Sequence, residues 1–142
     1  MIVKEREFPQ NIKILEALLR RLPKGHAKRK KIEDDIARRR AGYNGEKAND
    51  YFAALLPEDY YIFHDLRLAN GKSFFQMDTL LISANYMAVN EVKSYSGTLF
   101  FDRHAYQLTR TYNEKQECYQ DPITQVENQM RQLKKWLFAH NS

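Results

Sequence analysis

The sequence predicts an α/β fold, a mixed sheet core flanked by helices and preceded by a basic helical extension. Three observations predict it. Apolar residues recur at helical spacing near both ends, over residues 12–22 and 123–137. Between them, residues 60–111 carry short runs rich in aromatic and branched side chains, the composition of strands. Asn70-Gly71 separates two of these runs, and Asn-Gly is the strongest short hairpin signal. Helices, then a meander of strands, then a helix, imply an antiparallel or mixed sheet with helices packed on it.

The elements follow in order. Pro9 can open a first helix, with Ile12, Leu15, Leu18, Leu19 and Leu22 on one side, and Pro23-Lys24-Gly25 ends it. Residues 26–40 read as a second helix with a thin apolar stripe of Ala27, Ile32 and Ile36, and Gly42 breaks the pattern. A third helix starts near Asn44-Gly45, carries Ala48, Phe52, Leu55 and Leu56, and stops at Pro57. Strands are expected at Tyr60–Leu68, Phe74–Ser83 and Met87–Tyr95, with a turn at Ala84-Asn85-Tyr86. Thr98–Phe101 and Tyr106–Thr111 form a further pair, and residues 112–121 read as polar loop. After Asp121-Pro122, the residues Ile123, Val126, Met130, Leu133 and Leu137 mark a closing amphipathic helix. It reaches the end of the sequence without a cap, as expected of a piece cut from a longer protein.

Composition narrows the class. The chain has 142 residues, 43 % of them hydrophobic and 13 % aromatic, enough for one domain with its own core. Cys118 is the one cysteine, which excludes an internal disulfide and a multi-cysteine zinc site and fits a reducing compartment. No apolar run approaches the ~18 residues of a membrane span, and the N-terminus MIVKEREFPQ is charged where a signal peptide is apolar. The expected location is cytoplasmic. Net charge is +5, but ten basic and three acidic side chains fall between residues 20 and 40, a net +7 that leaves −2 elsewhere. Such segregation suits a polyanion, and Lys28, Arg29, Lys30, Lys31, Arg38, Arg39 and Arg40 are the candidate nucleic-acid contacts. A solvated helix face or a weak membrane contact are the alternatives.

The chemistry lies in the middle strands. Asp78 falls within one expected strand, and Glu91 and Lys93, at i and i+2, share a face of the next. The hairpin order lets Asp78 lie beside Glu91. Two such carboxylates repel, and a hard divalent cation between them, Mg²⁺ or Mn²⁺, relieves the repulsion. A lysine beside it can orient an attacking water or neutralise charge on a phosphate. These are the parts of a phosphodiester-hydrolysing site; the plain alternative is the solvent face of a sheet. His64 and His104 lack partners at metal-ligand spacing and read as surface or turn residues. The adjacent aromatic pairs read mainly as core.

Gly42-Tyr43-Asn44-Gly45-Glu46, Asp65-Leu66, Gln76-Met77-Asp78 and Glu91-Val92-Lys93-Ser94-Tyr95-Ser96-Gly97, in this order, resemble the NERD (nuclease-related) domain of the PD-(D/E)XK, restriction-endonuclease-like superfamily. The resemblance covers roughly residues 42–140 and divides the chain into a basic extension, 1–41, and a nuclease-like domain, 42–142. It implies a restriction-endonuclease-like fold and metal-dependent cleavage of nucleic acid, DNA more than RNA. It makes Asp78 and Glu91 metal ligands, Lys93 the catalytic lysine, and Glu46 a helix-borne acid completing the site. Among Gln125, Gln129 and Gln132 of the closing helix, it points to Gln125 as a contact to metal-bound water or substrate. Asn90 departs from the pattern, which places an apolar residue before the Glu. A non-catalytic module that binds nucleic acid or protein is the alternative.

Overall fold

A computed structural model describes residues 1–140. The chain runs β1 (Ile2–Lys4), α1 (Gln10–Arg21), α2 (Arg29–Ala53), β2 (Tyr61–Asn70), β3 (Ser73–Ile82), β4 (Met87–Asn90), β5 (Thr98–Asp102), β6 (Gln107–Tyr112), β7 (Lys115–Gln120) and α3 (Pro122–His140). The strands form a four-stranded sheet ordered β1-β2-β3-β4 and a separate antiparallel sheet ordered β5-β6-β7. β1 pairs with β2 in parallel and the other pairs are antiparallel, so the first sheet is mixed and the α/β expectation holds.

The tight β2–β3 hairpin forms where Asn70-Gly71 predicts it, with Gly71 at φ +63°. The turn before β4 closes through Ser83 N–H donating to the Tyr86 carbonyl at 2.9 Å. The core gathers Phe75, Met77 and Leu80 of β3 against Leu133 of α3, flanked by Phe63, Val89 and Trp136. Each such buried side chain contributes roughly 1.5–3 kcal/mol. Only Phe75 of the adjacent aromatic pairs is fully buried, whereas Tyr61, Phe74, Phe100 and Phe101 are exposed. The pairs therefore fill less of the core than their composition suggests.

β1 is absent from the sequence expectation, and three other element boundaries differ from it. The second and third expected helices are one, α2, running unbroken through Gly42 and Gly45. A mid-helix glycine costs only about 1 kcal/mol against alanine. The Arg29–Glu33 and Lys30–Asp34 ion pairs at i,i+4 (3.2 and 2.8 Å) and the buried Ile36 support the helix around it. The line between residues 41 and 42 thus falls inside a helix. The supposed polar loop 112–121 contains β7, which is polar because it stands at the edge of a half-open sheet. The third expected strand ends at Asn90, not Tyr95, so Glu91 and Lys93 lie just beyond β4.

No helix among the described residues is long and apolar enough to cross a membrane.

Candidate active site

The end of β4 has a specific cause. Asn90 pairs with Thr79, so the next step of the register sets Glu91 opposite Asp78. There a side chain replaces the ladder: Asp78 Oδ2 accepts the Val92 N–H at 2.9 Å. The β2–β3 ladder is also interrupted at this level. Asp65 takes φ +50°, and Asp65 and Asp78 are missing from an otherwise regular register. Phe75, Met77 and Leu80 reach one core despite their different parity along the strand, so the interruption switches the face that β3 turns inward. The carbonyls it releases are taken by the N-terminal arm: Lys4 Nζ donates to the Asp65 carbonyl (2.9 Å) and Arg6 Nη2 to the Asp78 carbonyl (2.8 Å).

The side chain of Glu91 is 5 % exposed. Its Oε1 accepts Lys93 Nζ at 2.7 Å and Gln125 Nε2 at 2.5 Å, and its Oε2 accepts Gln129 Nε2 at 2.9 Å. The two glutamines are one helical turn apart on α3. The Asp121 side chain caps that helix by accepting the Ile123 and Thr124 N–H groups, and Pro122 occupies its first turn. Gln129 is buried, also donates to the Gln76 carbonyl (3.0 Å), and its own Oε1 has no partner among the described residues. The sequence singled out Gln125; Gln129, one turn on, is held more deeply. The Gln-x-x-x-Gln spacing was the available signal.

Glu46 stands across from this group on α2. Gly45 lets the helix approach, since a Cβ there would lie 2.8 Å from the Ser94 Cβ. Arg6, 4 % exposed, joins Glu46 Oε2 at 2.6 Å and Asp50 Oδ2 at 2.8 Å. Burial opposes its charge, but Asp50, Glu46 and Asp78 outweigh that and hold its pKa above the ordinary value. Burial also pushes Glu46 up to about 7, assisted by the charge of Asp78 and opposed by Arg6. Asp78 is raised chiefly by burial and also by Glu91, while the Val92 N–H and Lys93 pull the other way. Arg6 and Asp50 were not visible as site residues in the sequence, because Arg6 acts 40 or more positions away in the chain. His64, expected at the surface, is buried; its Nδ1 meets Asp50 Oδ1 at 3.0 Å and Thr79 Oγ1 at 3.1 Å. Burial lowers its pKa.

The structure therefore brings Asp78, Glu91, Lys93 and Gln125 together and joins Glu46 to Asp78 through Arg6. A family model, the nuclease-related domain (NERD), matches residues 41–142. The chain belongs to the NERD family. No curated protein and no solved structure matches it. Residues 1–40 lie outside the family match, yet they supply Arg6 and Lys4 to this NERD site.

The basic residues of α2 have several duties. Arg29 Nη1 takes the Leu19 and Leu22 carbonyls (3.0 and 3.1 Å) at the end of α1. Lys30 pairs with Asp34, Arg38 and Arg39 with Asp35, and Arg40 with Glu16. Lys28 and Lys31 form no ion pair among the described residues. Arg38 alone of this set borders a cleft that also contains Lys93.

Asp78 and Glu91 stand at one level of the β3–β4 pair, and the charge of Glu91 helps to raise the pKa of Asp78. Mg²⁺ is commonly held by one or two carboxylates, with waters and substrate phosphate completing its shell. The described residues contain no cluster of three or more His, Cys, Asp or Glu placed to hold a metal. Asp78 and Glu91 therefore offer two carboxylate donors at most, and Glu46 is linked only to the Asp78 carbonyl, through Arg6.

Proposed function

We propose that this NERD domain hydrolyses phosphodiester bonds of nucleic acid, with DNA the first substrate to test and Mg²⁺ or Mn²⁺ as cofactor. The observation that supports this reading is the set Asp78, Glu91 and Lys93 at one end of the β3–β4 pair, with Lys93 Nζ on Glu91 at 2.7 Å. Asp78 and Glu91 would hold the cation, which when bound polarises a phosphoryl oxygen and lowers the pKa of water.

The chain's own residues supply the rest. Glu91 fixes Lys93, whose ammonium orients the attacking water or neutralises charge growing on the phosphate. Gln125 and Gln129 fix Glu91 in turn. Glu46, with a pKa about 7, can hold or release a proton near neutrality at the edge of the site. Lys28, Lys31 and Arg38 would hold the sugar–phosphate backbone without reading bases.

A second reading is a binding module without turnover. It is favoured by the three donors that already occupy Glu91. Glu91→Gln separates the two. Under the hydrolytic reading, cleavage of plasmid and oligonucleotide in Mn²⁺ falls by more than about 100-fold while affinity is kept. Wild type that binds in a salt-dependent way and never cuts sinks the hydrolytic reading and leaves the binding module.

A further inference from the structure

The two glycines of α2 differ in a way that points to a ligand. Glycine inside a helix is a destabilising choice unless packing requires it. Gly45 is required, because Ser94 lies against it. Gly42 is not: an added Cβ there would meet no atom within 4 Å. What Gly42 does is line a cleft of about 400 Å³ between α2 and the β5–β7 sheet, together with Ala41, Lys93 and Ser94.

The opposite wall is cationic and aromatic. Arg110 of β6 is held in place, its Nε donating to the Ser96 carbonyl at 2.8 Å and its Nη1 meeting Glu117 at 3.2 Å. Tyr119 of β7 stacks on Tyr95 with ring centroids 4.7 Å apart. Arg38 stands on the α2 side. Arg38 of α2, Arg110 of β6, Lys93 of the segment after β4 and a stacked tyrosine pair therefore line one space. Outside residues 20–40 the chain has a net charge of −2, so Lys93 and Arg110 do not belong to a generally basic surface. Positive charge along a groove with aromatic faces is the chemistry that holds an unpaired nucleic-acid strand. The volume suits one nucleotide-sized group.

We propose that this cleft receives an unpaired nucleic-acid strand next to the cleavage position, with phosphate on Arg38 and Arg110, and that Gly42 keeps it open. The proposal rests on the hydrolytic reading above and names the form of its substrate.

The test uses the full chain in EDTA, with a fluorescent oligothymidine and a blunt duplex of equal length, read by anisotropy. Gly42→Leu should melt no lower than wild type, because it adds a helix former in open space. It should bind the single strand at least about 10-fold more weakly and change duplex binding little. Arg38→Gln should reduce the salt slope of single-strand binding by about one ion. A folded Gly42→Leu with unchanged single-strand affinity overturns the cleft, and so does equal weakening for the duplex. If wild type still cuts nucleic acid in Mn²⁺, the hydrolytic reading survives that loss. A wild type that neither binds nor cuts overturns both.

Discussion

The two sheets are both built mainly from antiparallel strand pairs and end in different physical states. In the β1–β4 sheet, Ile62, Phe75, Met77, Leu80, His64 and Thr79 are all buried. In the β5–β7 sheet only Leu108 is buried, and Leu99, Phe100, Phe101, Tyr106 and Tyr112 remain exposed. Leu108 pairs with Phe101 and Tyr119, and Tyr119 borders the cleft. Strand pattern sets pairing, whereas burial depends on whether another layer arrives. The covered sheet carries the acids, whose positions must be fixed. The half-covered sheet supplies one wall of the cleft.

Substitutions can break this comparison. Met77→Ala, at a fully buried position, should cost about 2–5 kcal/mol in denaturant unfolding. Leu108→Ala should fall at the low end of that range, about 2 kcal/mol, because its open surroundings can collapse into the gap. Amide exchange should show the same order, with β5–β7 opening before β2 and β3. Equal costs and a single opening event would mean that the two sheets form one cooperative unit.

A smaller effect sharpens the contrast inside the covered region. Glu46 has its folded pKa raised from 4.5 to about 7, so the folded state holds that proton more tightly than the unfolded chain. Its ionisation therefore costs nothing below pH 4.5, costs progressively more up to about pH 7, and the full amount above. Glu46→Gln in EDTA should match wild type near pH 4.5 and melt a few degrees higher at pH 8. Arg6 keeps Asp50 and the Asp78 carbonyl in that variant. A constant difference across the range would refute the burial of Glu46 as its cause. The smallest effect is on the open sheet: Phe100→Ser, 64 % exposed, should change stability by no more than about 0.5 kcal/mol.

Much of the fold is local and was legible for that reason. Asn70-Gly71 encodes its turn in two residues, and that turn brings β2 against β3. The short turn at residues 83–86 then brings β4 beside β3, so Asp78 opposite Glu91 follows from counting along the hairpins. What local pattern could not reveal were contacts made by distant segments. Arg6 reaches Glu46, Asp50 and the Asp78 carbonyl across 40 to 72 positions. β7 was missed because its six residues have no apolar alternation, and α2 was divided because a glycine usually marks a break.

The sequence by itself determined the α/β class, the hairpins, the segregation of charge and the residues of the NERD resemblance. These depend on periodicity, turn chemistry and residue type, which are properties of neighbouring positions. Only the tertiary structure decided that an N-terminal arginine braces Glu46, that His64 is buried, and that Gln125 and Gln129 clasp Glu91. It also decided that Gly42 opens onto a cleft while Gly45 is closed by Ser94. Identical residues in one helix acquire different roles because their surroundings come from other parts of the chain, and no periodicity within the helix encodes what is packed against it.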